Sequence, residues 1–318
     1  MSALAACASE VVERFECFGG SCAVLVQGSG PAGRAPEAAA LAKRRLLAWH
    51  GQFSRFEPSS QLSLLNADPR ETVPVSAMMV RFVEAALAAA AITGGLVDPT
   101  LVDQIERAGY VRDFAALSAP PANRLPDVPR GPAAPNPASR WGEVAVDRRH
   151  STVSRPAGVR LDSGGIAKGL FGDVLAGVLS WHESFAVAAA GDVRFGGAAG
   201  LTRQVQITSP FDAGVIIHRF ELADGAVATS GITRRSWIDD RGRLAHHLLD
   251  PATGEPVFTG VAQATALAPS GVEAEALAKA ALLSGPRAAP GWLRHGGVLV
   301  YDDGSCDVVD PVAYAEAA

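Results

Sequence analysis

The run "SCAVLVQGSG" (Ser21 to Gly30) is apolar through its middle and ends in glycines, which predicts a strand closing on a turn. The period then changes. In "PEAAALAKRRLLAWHGQFSRF" (Pro36 to Phe56), Leu41, Leu46 and Trp49 fall on or near one stripe, and Pro36 marks a start, so this stretch predicts an amphipathic helix. A second helix is predicted over "VSAMMVRFVEAALAAAAITGG" (Val75 to Gly95), with Ser76 as N-cap and Gly94-Gly95 as the stop. Further on, short strands dominate: "AGVRLD", "SFAVAAAGDVRF", "RQVQITS", "HRFELA", "VAQATALA" and "GVLVYDD". One helix follows "DSGG" and another covers "GVEAEALAKAALLSG". Strands and helices do not alternate regularly, so the pattern predicts α+β, mixed sheets with packed helices, rather than a doubly wound parallel sheet.

Composition changes that picture in one place. Between Asp113 and Trp141, prolines crowd into "PPANRLPDVPRGPAAPNP". Proline removes backbone donors and blocks helix, so a surface insertion at about 113–140 is expected within a single domain spanning 1–318. The chain has 318 residues, 48% of them hydrophobic, enough for a sizeable core. A net charge of −5 and the lack of a basic run give no reason to expect nucleic acid. The cysteines Cys7, Cys17, Cys22 and Cys306 form no C-x-x-C pair, so they read as free thiols in a reducing compartment. "LAAC" near the start looks like a lipoprotein box but lacks a positive n-region, and no later segment has a span's length of uninterrupted apolar residues. No membrane span is expected, and the location is read as cytoplasmic.

The chemistry centres on "LDSGGIAKGLFGD" (Leu161 to Asp173). Asp162 is expected to end a strand. Ser163, Gly164 and Gly165 make a turn whose bare backbone a ligand can approach. Ile166, Leu170, Val174 and Val178 then recur at helical spacing. A turn that opens a helix presents free N–H groups and a positive dipole end, and Lys168 can add an ammonium to the same anion. Phosphate is the natural ligand. The segment matches neither G-x-x-x-x-G-K-[ST] nor G-x-G-x-x-G, and alone it fits a tight turn with a solvated lysine equally well.

Other segments weigh in. "FSRFEPSSQLSLLN" (Phe53 to Asn66), "GGLVDPTLV" (Gly94 to Val102), "LDSGGIAKG", "AAAGDVRFGG" (Ala188 to Gly197), "GAVATSGITRR" (Gly225 to Arg235) and "HHLLDPATGEP" (His246 to Pro256) follow in this order. Together they resemble the ApbE family of FAD:protein FMN transferases. The resemblance implies an ApbE-like, T-fold-related architecture with FAD in a central cleft. It implies a reaction in which a Thr or Ser hydroxyl of a target flavoprotein attacks the FMN-side phosphorus of FAD, AMP leaves, and FMN stays on as a phosphodiester. Two alternatives are a FAD pyrophosphatase and a non-catalytic FAD-binding protein with a degenerate metal site.

The resemblance also implies roles. Phe18, in "CFGGS", falls at a flavin contact, and Phe56 takes the place of a tyrosine that packs on FAD. Val97, Asp98 and Pro99 line the cofactor, with Asp98 accepting from adenine or ribose unless it serves only an Asx-turn. Asp162 and Lys168 match a pair of FAD contacts, and Leu249 another. His247 stands where the family has a histidine proposed to help deprotonate the acceptor hydroxyl. "ATSG" (Ala228 to Gly231) is expected near the flavin. Lys168 and His247 are thus the candidate catalytic residues.

The family's Mg2+ site implies the backbone of Gly165 and a helix pattern A-D-x-x-x-T-A. Here that helix reads "AEALAKAALLSG" (Ala274 to Gly285), with Glu275 at the Asp position and Lys279 at the Thr position. A protonated lysine has no lone pair to offer a metal. Lys279 therefore replaces some of the metal's charge, swings aside from a metal held by Glu275 and Gly165, or forms an exposed i,i+4 pair with Glu275.

Overall fold

A computed structural model of the chain describes residues 2–4, 10–112, 125 and 127–311. The "LAAC" box after Leu4, Cys7 included, and most of the first half of the proline-rich stretch lie outside the described residues.

The frame is an 8-stranded antiparallel sheet. Its strands are β1 (Val11–Cys17), β2 (Gly20–Gln27), β3 (Ser184–Ala189), β4 (Asp192–Gly196), β5 (Gly225–Gly231), β6 (Val261–Ala268), β7 (Gly297–Tyr301) and β8 (Cys306–Val309). They lie side by side in chain order, so every long connection is an excursion that returns to the next position. The helices are α1 (Ala35–Phe53), α2 (Gln61–Ala67), α3 (Ala77–Ile92), α4 (Val102–Arg107), α5 (Ala167–Leu179) and α6 (Gly271–Trp292). Three of them cover one face: α1 packs on β1 and β2, α5 on β3 and β4, and α6 on β5 and β6. A small sheet of Arg203–Thr208 and Ile216–Leu222, with Ser2–Leu4 at its edge, covers the other face through Val205, Ile207 and Phe220. Burial from both sides explains why β6 is apolar or small at nearly every position.

Serine caps open α2, α3 and α6. Ser76 Oγ accepts from Met79 N, and Ser270 Oγ accepts from Glu273 N at the head of α6. Two strand expectations differ from the structure. "SFAVAAAGDVRF" is the hairpin β3–β4, turned at Ala190 (φ 49°) and Gly191 (φ 109°). "AGVRLD" is irregular, because the Asn66 side chain takes both backbone groups of Leu161 that a neighbouring strand would use, each at 2.8 Å. The described part of the proline-rich stretch runs along α6: Ala133 N donates to Leu283 O, and Ala134 N to Asp250 Oδ1.

Helices α5 and α6 lock each other at their N-termini. Asp173 of α5 accepts from Gly271 N (2.7 Å) and Val272 N (3.0 Å), capping α6. Glu275 of α6 accepts from Gly169 N (2.9 Å), capping α5. The exchange requires close backbones. A Cβ built on Gly169 would lie 2.4 Å from Gly271 O, a distance that backbone atoms cannot relieve by rotation. Gly169→Ala is therefore expected to lower stability by about 1–3 kcal/mol, read as a lower denaturant midpoint at unchanged m-value.

Candidate functional site

The "DSGG" turn is tied down on three sides. Asp162 N donates to Pro99 O (2.9 Å), Ser163 Oγ donates to Phe53 O (2.7 Å), and the N–H groups of Ile166 and Ala167 return to Ser163 O. These bonds bring the end of α1, the 97–99 segment and the start of α5 around one open cleft. Its walls include Phe18, Phe56, Val97, Asp98, Pro99, Asp162, Gly165, Lys168, His247, Leu249 and Lys279. Glu275, and Thr229 to Gly231 of the "ATSG" segment, lie outside that wall and line an adjoining second cleft. Lys168, Arg235, His247, Lys279 and Gly164 border both clefts and so mark their junction.

One end of the first cleft is aromatic. The Arg55 guanidinium lies 4.3 Å from the Phe56 ring centroid and 4.6 Å from that of Tyr110, which stacks on Trp237. Leu249 is buried in the same cluster. Phe18 forms the tip of the β1–β2 hairpin together with Gly19, with φ of 55° and 70°. Such a two-residue turn normally takes Asn or Gly, so a phenylalanine there is held in a costly backbone state. Its ring meets His50 edge-on at 5.0 Å, and its carbonyl accepts from Arg235 Nη2 at 2.6 Å. Asp98 makes an Asx-turn to Thr100 N (2.7 Å), and its other oxygen accepts from Ser139 Oγ.

The junction is a charge cluster. Lys168 donates to Asp192, whose other oxygen accepts from Thr229 N at 2.9 Å. Lys279 Nζ lies 3.1 Å and Lys168 Nζ 3.8 Å from the same Glu275 oxygen. Burial pulls the Lys168 pKa down, but the Asp192 and Glu275 carboxylates outweigh it and leave the pKa above the ordinary lysine value. Burial and then Lys168 lower the Lys279 pKa against the opposing pull of Glu275. Burial, with the charge of Arg235 next, holds His247 well below the usual imidazole range. Its Nδ1 faces Arg235 O at 3.4 Å. A carbonyl can only accept, so Nδ1 carries the hydrogen and Nε2 keeps a lone pair.

Two sequence expectations are revised by this geometry. The N–H groups opening α5 are not all free, since Gly169 N is taken by Glu275. The Glu275–Lys279 pair is not exposed: Glu275 is 1% and Lys279 9% accessible. Thr229, Ser230 and Gly231, expected near the flavin, line the second cleft. Sequence reasoning passed over Arg235, Asp192, Arg55 and Tyr110 as site residues. Arg235 and Asp192 stand within motifs already quoted, but neither has a local pattern that reveals its partner.

Aromatic walls that end at paired lysines and an arginine suit a ligand with flat rings and an anionic middle, the make-up of a nucleotide or dinucleotide. Comparison with known proteins places the chain more closely. The sequence profile of the ApbE family matches residues 18–301, and the chain belongs to that family. It is 29% identical over 283 residues to the FAD:protein FMN transferase of Treponema pallidum, covering 81% of this chain and 76% of that one. The crystal structure of the ApbE protein of Thermotoga maritima superposes with a TM-score of 0.75 at 27% identity, covering 94% and 96% of the two chains. The apo flavinyl transferase ApbE of Pseudomonas stutzeri shares the fold, with a TM-score of 0.72 at 21% identity over 94% and 95%. Among the described residues, no helix is long and apolar enough to cross a membrane.

Proposed function

We propose that this chain transfers FMN from FAD to a Thr or Ser hydroxyl of a target flavoprotein, releasing AMP. The observation that carries this reading is the gathering of Lys168, Lys279, Arg235 and His247 where an aromatic cleft meets a second opening. FAD lies with its rings among Phe18, Phe56, Tyr110 and Leu249 and its diphosphate near the lysines. Val97, Asp98, Pro99 and Asp162 shape the wall between. The acceptor hydroxyl enters by the second cleft. Its oxygen bonds to the FMN-side phosphorus, and its proton passes to His247 Nε2. The bond from that phosphorus to the bridging oxygen breaks, and AMP leaves with that oxygen. Phosphoryl transfer of this kind depends on alignment and on fixed positive charge more than on covalent help from the protein.

Mg2+, which the family resemblance implies, does not fit the side chains present. Magnesium takes hard oxygen ligands in an octahedral array. The carboxylate available, Glu275, has one oxygen on Gly169 N and the other on Lys279 Nζ. No group of three or more His, Cys, Asp or Glu side chains among the described residues could hold a metal ion. The Gly165 carbonyl and the substrate's phosphates would have to supply the rest, beside an ammonium.

Incubation of the purified protein with FAD, with and without a flavoprotein acceptor, tests the transfer reading. AMP is expected only with the acceptor, in a one-to-one ratio with acceptor-bound FMN. AMP with free FMN and no acceptor would make the chain a pyrophosphatase. Tight FAD binding without AMP under any cation would make it a carrier.

A further inference from the structure

We propose that Lys279, together with Lys168, supplies in fixed form the positive charge that a divalent cation would otherwise bring to the FAD diphosphate, so that this chain binds FAD without a divalent cation. The assignment rests on FAD being the ligand, and three observations support it.

First, the Glu275 carboxylate is fully committed. It is 1% accessible, one oxygen caps α5 through Gly169 N, and the other holds Lys279 Nζ at 3.1 Å with Lys168 Nζ at 3.8 Å. A dication approaching that oxygen must expel Lys279 from it, then share the pocket with the ammonium it expelled. Like charges at such range oppose each other strongly away from bulk water. Second, Lys279 is not a surface side chain that happens to bend inward. It borders both clefts, and its Cε lies 4.0 Å from where a Cβ on Gly165 would stand, so the ammonium sits against the bare turn itself. Third, the local charges favour an anion before any ion binds. Lys168, Lys279 and Arg235 face Asp192 and Glu275 at the junction, leaving an excess of positive charge for a diphosphate. The carboxylates hold both lysines at the junction.

FAD affinity, read from quenching of flavin fluorescence, tests this directly. In the intact protein, affinity in EDTA and in excess Mg2+ is expected to agree within about twofold, since charge supplied by the chain leaves magnesium no site to fill. Lys279→Met is expected to weaken FAD binding about 10–100-fold, the worth of one charge-assisted contact to phosphate. Because that change removes the nearer cation from Glu275, the pair Glu275→Gln with Lys279→Met provides a neutral control. It should melt near the parent and show the same loss of affinity. Glu275→Asp with Lys279→Thr restores oxygen ligands and is expected to make binding depend on Mg2+. Tightening of the parent's affinity by Mg2+ of about tenfold or more, or full affinity in both Met variants, overturns the proposal. FAD bound equally in both buffers but no AMP with acceptor leaves the charge assignment standing and removes the transfer reading. No FAD binding in either buffer removes both.

Discussion

Replacing Lys168 with methionine is expected to lower the rate of AMP release about 10²–10³-fold, the scale seen when one preorganised group is removed from developing charge. Lys168 also holds structure together, so the loss of activity must be separated from a loss of fold. Its ammonium pairs with Asp192 and lies 3.8 Å from Glu275, and only 15% of the side chain is exposed. Removing one partner of such a buried pair leaves a carboxylate without its counterion, which typically costs about 3–5 kcal/mol. Lys168→Met alone should therefore unfold at a lower temperature. The double change Lys168→Met with Asp192→Asn removes both charges and keeps an oxygen for Thr229 N, which Asp192 now satisfies at 2.9 Å. Stability is expected to return in the double variant while AMP release does not. Recovery of both together would reduce Lys168 to a strut for Asp192.

Much of the frame can be read from local pattern. The Ser76 cap, the apolar run of β6 and the helix after the double glycine all follow from residues a few positions apart. What local pattern does not carry is the pairing between distant elements. Lys168 finds Asp192 only because the β3–β4 hairpin returns beside α5. Glu275 reaches Gly169 only because two glycines let α5 and α6 cross with their backbones almost touching. In the sequence those glycines look like ordinary helix weakeners, and the crossing gives them their purpose. The irregular path of 160–162 has the same origin, since its competitor for strand formation is an amide side chain from Asn66 on α2, 95 residues away along the chain. The Lys279 substitution shows the opposite case. Chemistry alone says that it cannot ligate a metal, but only burial against Glu275 shows that it points inward rather than out.

His247→Gln is expected to reduce acceptor-dependent AMP release about 10²–10⁴-fold, the usual contribution of a positioned base. FAD affinity should change little, because in the proposed reaction the imidazole acts on the acceptor's proton rather than on the dinucleotide. The pH profile distinguishes a base from a packing residue. Burial and the nearby Arg235 keep the His247 pKa well below 6.5, so the ring stays neutral and able to accept a proton under mildly acidic conditions. Acceptor-dependent activity is expected to stay level from pH 8 through about 6.5, where an ordinary histidine would already be losing function. Stability follows the same linkage with a defined sign. The folded-state pKa lies below the unfolded value, so between the two the unfolded chain binds more protons, and stability is lost as pH falls below about 6.5. Gln cannot titrate, so the variant should lose part of this acid sensitivity along with its activity. If activity instead falls through pH 6.5 with the profile of a solvated imidazole, or if His247→Gln releases AMP at the parent rate, the proton goes elsewhere.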